Sequence, residues 1–166
     1  MVGARSGPSD SAERRLREAG FELTPAPTPF GSYVEAVQSG NLLFLSGMLP
    51  VVGHQPKYRG RLGQELDVEA GRDAARTAVL SGLAAARQHL GSLDRISRVV
   101  RLGVFIATHG DFFDQPRVAD AASDLLRDVF GPESLAVRLV LGVASLPLGM
   151  PIEVELIFEI AEPAER

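Results

Sequence analysis

Apolar residues recur at Ala75, Val79, Gly82, Leu83, Ala86 and Leu90, the spacing of one face of a helix. The pattern predicts a long helix that opens at Asp67, a capping residue, and stops at Gly91. The small residues on its stripe imply a backbone lying close against a sheet. A second stripe, Val118, Ala122, Leu125 and Val129, predicts a helix that begins near Asp114, tolerates Pro116 in its first turn and ends at Gly131. Between the two, Val100, Leu102, Val104 and Ile106 alternate along residues 98–108 and predict a strand, with Val99, Gly103 and Phe105 on its other face. Further strands are expected at 33–38, 42–46, 137–143 and 152–160, the first two joined by a tight turn at Ser39, Gly40 and Asn41. A short helix from Ser11 to Ala19, stopped by Gly20, precedes them.

The order β-β-α-β-α-β-β after a leading helix predicts an α+β domain: one mixed sheet with two helices packed on one face. The other face is half apolar, which implies burial against further copies of the chain. Residues 1–29 are expected to be a flexible N-terminus with a short helix, disordered over 1–10 and extended through the proline-rich 24–32. Residues 30–162 are expected to form the single domain. The Gly-, Arg- and Gln-rich stretch 50–66 has no clear period and is long for a connection, which points to a functional or interface loop.

Charge narrows the function. Seventeen basic residues against 21 acidic ones give a net charge of −4, a poor match to a nucleic-acid binder, and the one basic patch, Lys57 to Arg61, reads as a solvated loop. No apolar run is long enough to cross a membrane, and residues 1–15 lack the apolar centre of a signal peptide, so a cytoplasmic location is expected. There is no cysteine, hence no disulfide and no thiolate chemistry. His54, His89 and His109 lack metal-ligand spacing, so no metal is expected.

The candidate chemistry lies in the apolar run from Ala136 to Phe158, which holds Arg138, Glu153 and Glu155. On a strand Arg138 shares a face with Val140 and Gly142, and the glycine is expected to leave space beside the guanidinium. An arginine there grips a small carboxylate, pairs with Glu153 or Glu155, or lies exposed at a strand edge. A simple hairpin about Leu148 would set Arg138 opposite residues near Phe158, so that it meets Glu153 only through other sheet geometry or across a subunit boundary. The two glutamates also fit an alternating solvent face. Ser46 reads equally as a strand-end residue bonded to local backbone, and Tyr33 as a half-buried aromatic with a wet hydroxyl.

Three segments together resemble the Rid family of reactive intermediate deaminases, also called YjgF: "YVEAVQSGNLLFLSGMLP", "RVVRLGVFIATHGDF" and "VRLVLGVASLPLGMPIEVELIFEI". The resemblance covers most of residues 30–160. It implies a chorismate-mutase-like fold assembled as a homotrimer with clefts between subunits, and hydrolysis of imines or enamines of amino acids to a 2-keto acid and ammonia. It further implies that Arg138 holds the substrate carboxylate and Glu153 positions or activates water. Tyr33, Ser46 and Gly47 would line the pocket, and main-chain groups near Val140 would bind the nitrogen end or the water. That scheme uses no cofactor; its partners are a small carboxylate or imino acid and other copies of the chain. The sequence departs from the family at Leu139 (Ser), Val140 (Cys), Met48 (Gln) and Pro116 (Asn). A trimeric binder of small carboxylates without turnover is the alternative. A ribonuclease, a label some family members carry, is disfavoured by the acidic balance and by the lack of a histidine acid/base pair.

Overall fold

The computed structural model describes residues 11–161; the expectation of disorder over 1–10 lies outside them. The elements, in chain order, are α1 (Ala12–Glu18), β1 (Ala36–Ser39), β2 (Leu42–Leu45), β3 (Val51–Val52), β4 (Gln55–Pro56), α2 (Val68–Leu90), β5 (Ile96–Ala107), α3 (Gln115–Phe130), β6 (Val137–Val143) and β7 (Ile152–Ile160). Asp67 caps α2 by accepting the Ala70 N–H at 2.8 Å, and Gly91 ends it in the left-handed region at φ 85°. The predicted stripes of both long helices are buried. A Cβ on Gly82 would come within 2.8 Å of Leu156, so α2 does run close over the sheet. No helix among the described residues is long and apolar enough to cross a membrane.

Five strands form one mixed sheet in the order β1-β2-β7-β5-β6, and β3 pairs with β4 in a separate small hairpin. Only β5 and β6 run parallel; α3 is the crossover that such a pair requires. β6 and β7 do not form a hairpin about Leu148. They are separated by β5, and Arg138 lies in register with Leu102 and, beyond it, Leu156. β1 begins later than expected, at Ala36, although the Ser46 N–H still reaches the Glu35 carbonyl at 2.9 Å. The register shifts between Val99 and Arg101, a bulge that inserts Val100 and turns Val99 into the core beside Phe158 rather than onto the outer face.

The stretch 50–66 is more ordered than its composition implies. Leu62 is fully buried, and it is tied to the end of β5: its N–H donates to Ala107 and its carbonyl accepts from His109, each at 2.9 Å. At the other end of the core, α1 buries Ala12 and Leu16, and Arg15 Nε donates to the Val129 carbonyl of α3 at 2.7 Å.

The faces of the sheet differ sharply. Toward α2 and α3 the rows Leu102–Leu156, Val104–Val154 and Ile106–Ile152 are apolar and buried. Away from the helices run the rows Val37–Phe44–Ile157–Arg101–Val137, Glu155–Gly103–Leu139 and Glu153–Phe105–Leu141. Val37, Phe44, Val137, Leu139 and Leu141 in these rows are exposed.

Candidate active site

Glu153 and Glu155 project two residues apart from the outer face of β7, yet they are not equivalent. Glu155 lies 3.6 Å from Arg101 Nε, and its charge is met. Glu153 has no hydrogen-bond or ion-pair partner among the described residues, and burial pushes its carboxyl above the usual carboxylate range. It faces a cavity of roughly 240 Å³ lined also by Gly47, Phe105 and Leu146.

Gly47 is what lets the carboxylate lie there: a Cβ at that position would fall 2.0 Å from Glu153 Oε1. The approach is fixed by the next residue, since the Met48 N–H donates to Val154 O at 2.8 Å and the Val154 N–H donates back to Met48 O at 2.9 Å. One bridge thus carries the β2–β7 pairing past the glycine. Met48 itself points into the core under α2, so its departure from the family pattern does not touch the cavity.

Arg138 sits elsewhere. It is on the helix side of the edge strand β6, where Nη1 donates to Asp120 Oδ1 at 2.8 Å and to Ser123 Oγ at 3.1 Å, both on α3. The acid it meets is therefore Asp120, not Glu153 or Glu155, which lie across the sheet. No open space is left at Gly142 either: a Cβ there would come within 3.1 Å of Gln115 Nε2 and 3.2 Å of Thr108 Oγ1. Val140, between them, pairs with Val104. As β6 is an edge strand, part of its main chain has no ladder partner and can bond a ligand or another chain.

The remaining two predicted residues occupy a third place. Ser46 Oγ donates to the Val34 carbonyl at 2.6 Å, the local backbone bond that a strand-end serine makes. Tyr33 accepts the Phe30 N–H on its hydroxyl at 3.0 Å and lines a different cavity, roughly 540 Å³, between the proline-rich connector and the end of α2. Within one chain, then, Glu153 and Gly47 meet, while Tyr33, Ser46, Arg138 and Val140 do not join them. Sequence reasoning missed Phe105 and Leu146 as cavity walls and Asp120 and Ser123 as the partners of Arg138. The β5–α3–β6 order carried a signal for the latter pair, because a helical crossover between neighbouring strands lies on both. Among the described residues no group of three or more His, Asp or Glu side chains is placed to hold a metal ion.

Residues 13–161 match the family described as "YjgF/chorismate_mutase-like, putative endoribonuclease". The chain belongs to that family. It is 40% identical to protein TCP17 of Trypanosoma cruzi over 87% of this chain and 91% of that one. It is 30% identical to the 2-iminobutanoate/2-iminopropanoate deaminase of Dermatophagoides farinae over 81% and 91%. Among solved structures, a "putative endoribonuclease" from Shewanella oneidensis superposes with a TM-score of 0.87 at 32% identity, covering 90% of this chain and 99% of that one. The YjgF family thus includes a protein named as an imine deaminase, and the α+β fold is the family's.

Proposed function

We propose that the protein hydrolyses the C=N bond of small 2-imino acids, or of the enamines that tautomerise to them, at sites completed between copies of the chain in a homotrimer. The observation that carries this reading is Glu153: half-buried, unpaired, and aimed over Gly47 into a cavity of small-molecule size. A carboxylate with a raised pKa is a better base toward water. Water adds to C2 as Glu153 takes its proton, and the same proton passes to nitrogen; Glu153 then carries the carbinolamine's hydroxyl proton to the amine as the C–N bond breaks, giving the keto acid and ammonia. The 30% identity to a named deaminase supports the reaction class.

The substrate carboxylate needs a cation that the Glu153 cavity of one chain does not contain. Arg138 of a neighbouring copy supplies it in this reading. Both of its bonds to α3 use Nη1, so Asp120 and Ser123 hold the guanidinium while Nε and Nη2 stay available for a two-point grip. The exposed apolar rows of the outer face give the copies a surface to share. Binding without turnover is the second reading; the partial neutralisation of Arg138 by Asp120 favours it. The unpaired carboxylate of Glu153 at the cavity disfavours a phosphodiester substrate.

The test is keto-acid release from imino acids generated by an amino-acid oxidase. Wild type should accelerate release, and R138A and E153Q should each lose it by about 100-fold or more. Co-expressed, the two inactive variants should regain part of the activity, since a mixed assembly rebuilds sites with both residues intact. Carboxylate binding at the Glu153 cavity without acceleration would select the second reading; binding at that cavity untouched by R138A would remove both.

A further inference from the structure

The basic patch of the sequence finds a use on the far side of Leu146. The loop at residues 57–65 and the turn at residues 144–150 enclose a cleft of roughly 390 Å³ with Arg59, Arg61 and Ser145 on its walls and Ala107, Leu146 and Met150 beneath. Arg59 Nη1 donates to the Leu148 carbonyl at 3.2 Å, and Arg61 Nη2 donates to Gln64 Oε1 at 2.8 Å. Among the described residues neither guanidinium has a carboxylate within ion-pair distance. Glu65, at the same cleft, accepts the Arg61 backbone N–H at 2.8 Å, a bond that holds its carboxyl below the usual range and keeps it ionised. One carboxylate against two guanidiniums leaves the cleft net positive in a chain whose net charge is −4.

The arginines are presented by a fixed frame rather than a loose loop. On one side of Arg61 the Gly60 N–H donates to Gly149 O, and on the other the Leu62 N–H donates to Ala107 O, each at 2.9 Å. Glu65 packs so tightly over Gly60, at φ 114°, that a Cβ there would lie 2.6 Å from the Glu65 Cβ. Across the cleft Leu148 is held at φ 59°, a conformation that a side-chain-bearing residue keeps only when its surroundings enforce it, and Arg59 bonds its carbonyl. Strain and an excess of positive charge coincide at one concave site.

We propose that this cleft is a second binding site, for the carboxylate or phosphate group of a small metabolite with a short apolar body. Two guanidiniums grip an oxyanion through paired N–H donors, the Ser145 hydroxyl adds a neutral donor, and the alanine, leucine and methionine surface receives the carbon skeleton. The concavity and modest volume fit a small molecule rather than a polyanion.

Titration of the full chain with inorganic phosphate, and separately with butanoate, at constant ionic strength tests it by calorimetry. Saturable binding of at least one probe is expected, and the better probe identifies phosphate or carboxylate as the headgroup. R59Q and R61Q should each weaken that binding about tenfold or more, while R138A, which removes the carboxylate grip of the proposed deaminase site, changes it less than about twofold and so separates the two sites. If R59Q, which loses the Leu148 contact, melts early without ligand, R61Q carries the test, since among the described residues its guanidinium hydrogen-bonds only Gln64. Absence of saturable binding, equal binding by R61Q, or an equal loss in R138A would each overturn the proposal.

Discussion

The two faces of the five-stranded sheet are made from the same strands and obey different rules. Along β7, Ile152, Val154, Leu156, Phe158 and Ile160 are buried beneath the helices, and no charge interrupts them. Their immediate neighbours Glu153, Glu155 and Glu159 point the other way, among exposed Phe44, Leu139 and Leu141. The first face is closed within one chain, so its residues are set by packing. The second is apolar enough to want a cover and charged where a ligand could use charge. A half-buried glutamate without a partner would be a liability in the helix-side core; on the open face it can be wetted, titrated and used.

A pair of substitutions one residue apart should give the largest contrast. Leu156→Ala empties space beneath α2 and should cost about 2–5 kcal/mol, read as a lowered urea midpoint. Ile157→Asp, on the open face between Phe44 and Arg101, should leave far-UV spectra and cooperative unfolding in place, and in the proposed homotrimer it should lower the sedimentation mass, because the charge falls in the apolar row that the copies would share. Equal loss of fold in both variants would mean that the two faces are not energetically distinct.

How far the contrast was legible beforehand depends on whether the signal was local. Asp67 and Gly91 bracket α2 as written, because caps act within a turn of the helix end. The bounds of β6 and β7 were also readable from alternation. The inserted Val100 was not, since the alternation on each side of a one-residue bulge looks regular by itself. Nor was the neighbour of β6: local pattern does not say which strand pairs with which, so a hairpin with β7 and other sheet geometry were both open. That open question left Asp120 unnamed; it reaches Arg138 because α3 crosses from β5 to β6. The resemblance named Gly47 and Glu153 separately. Their close approach rests on the Met48–Val154 bridge, a long-range fact.

That approach gives the next test. Gly47→Ala puts a methyl group 2.0 Å from Glu153 Oε1, and the flexible carboxylate must swing away. Activity should fall about tenfold or more through misplacement of the base, while unfolding free energy changes by less than about 1 kcal/mol. Steady-state kinetics beside a denaturant curve measures both, and an unchanged kcat would detach Gly47 from the reaction. The loss should appear in kcat rather than KM, since the carboxylate handle of the proposed site lies on another copy.

The smallest effect is the most specific to the open face. The Glu153 carboxyl has its pKa raised by burial above its reference value of 4.5, so between 4.5 and that raised value the folded chain holds a proton that the unfolded chain has released. Its contribution to stability is therefore present below pH 4.5 and is lost as pH rises through the folded pKa. Glu153→Gln removes that loss. The variant should melt about 1–2 °C above wild type at pH 7, a small gain because the carboxyl keeps much of its water, and the difference should vanish at pH 4. Glu155→Gln should show no such gain, since Arg101 already rewards its charge. Melting curves of the two variants at both pH values would then show one glutamate held at a cost to the fold and its neighbour held without one, as expected if the first is kept for chemistry and the second for structure.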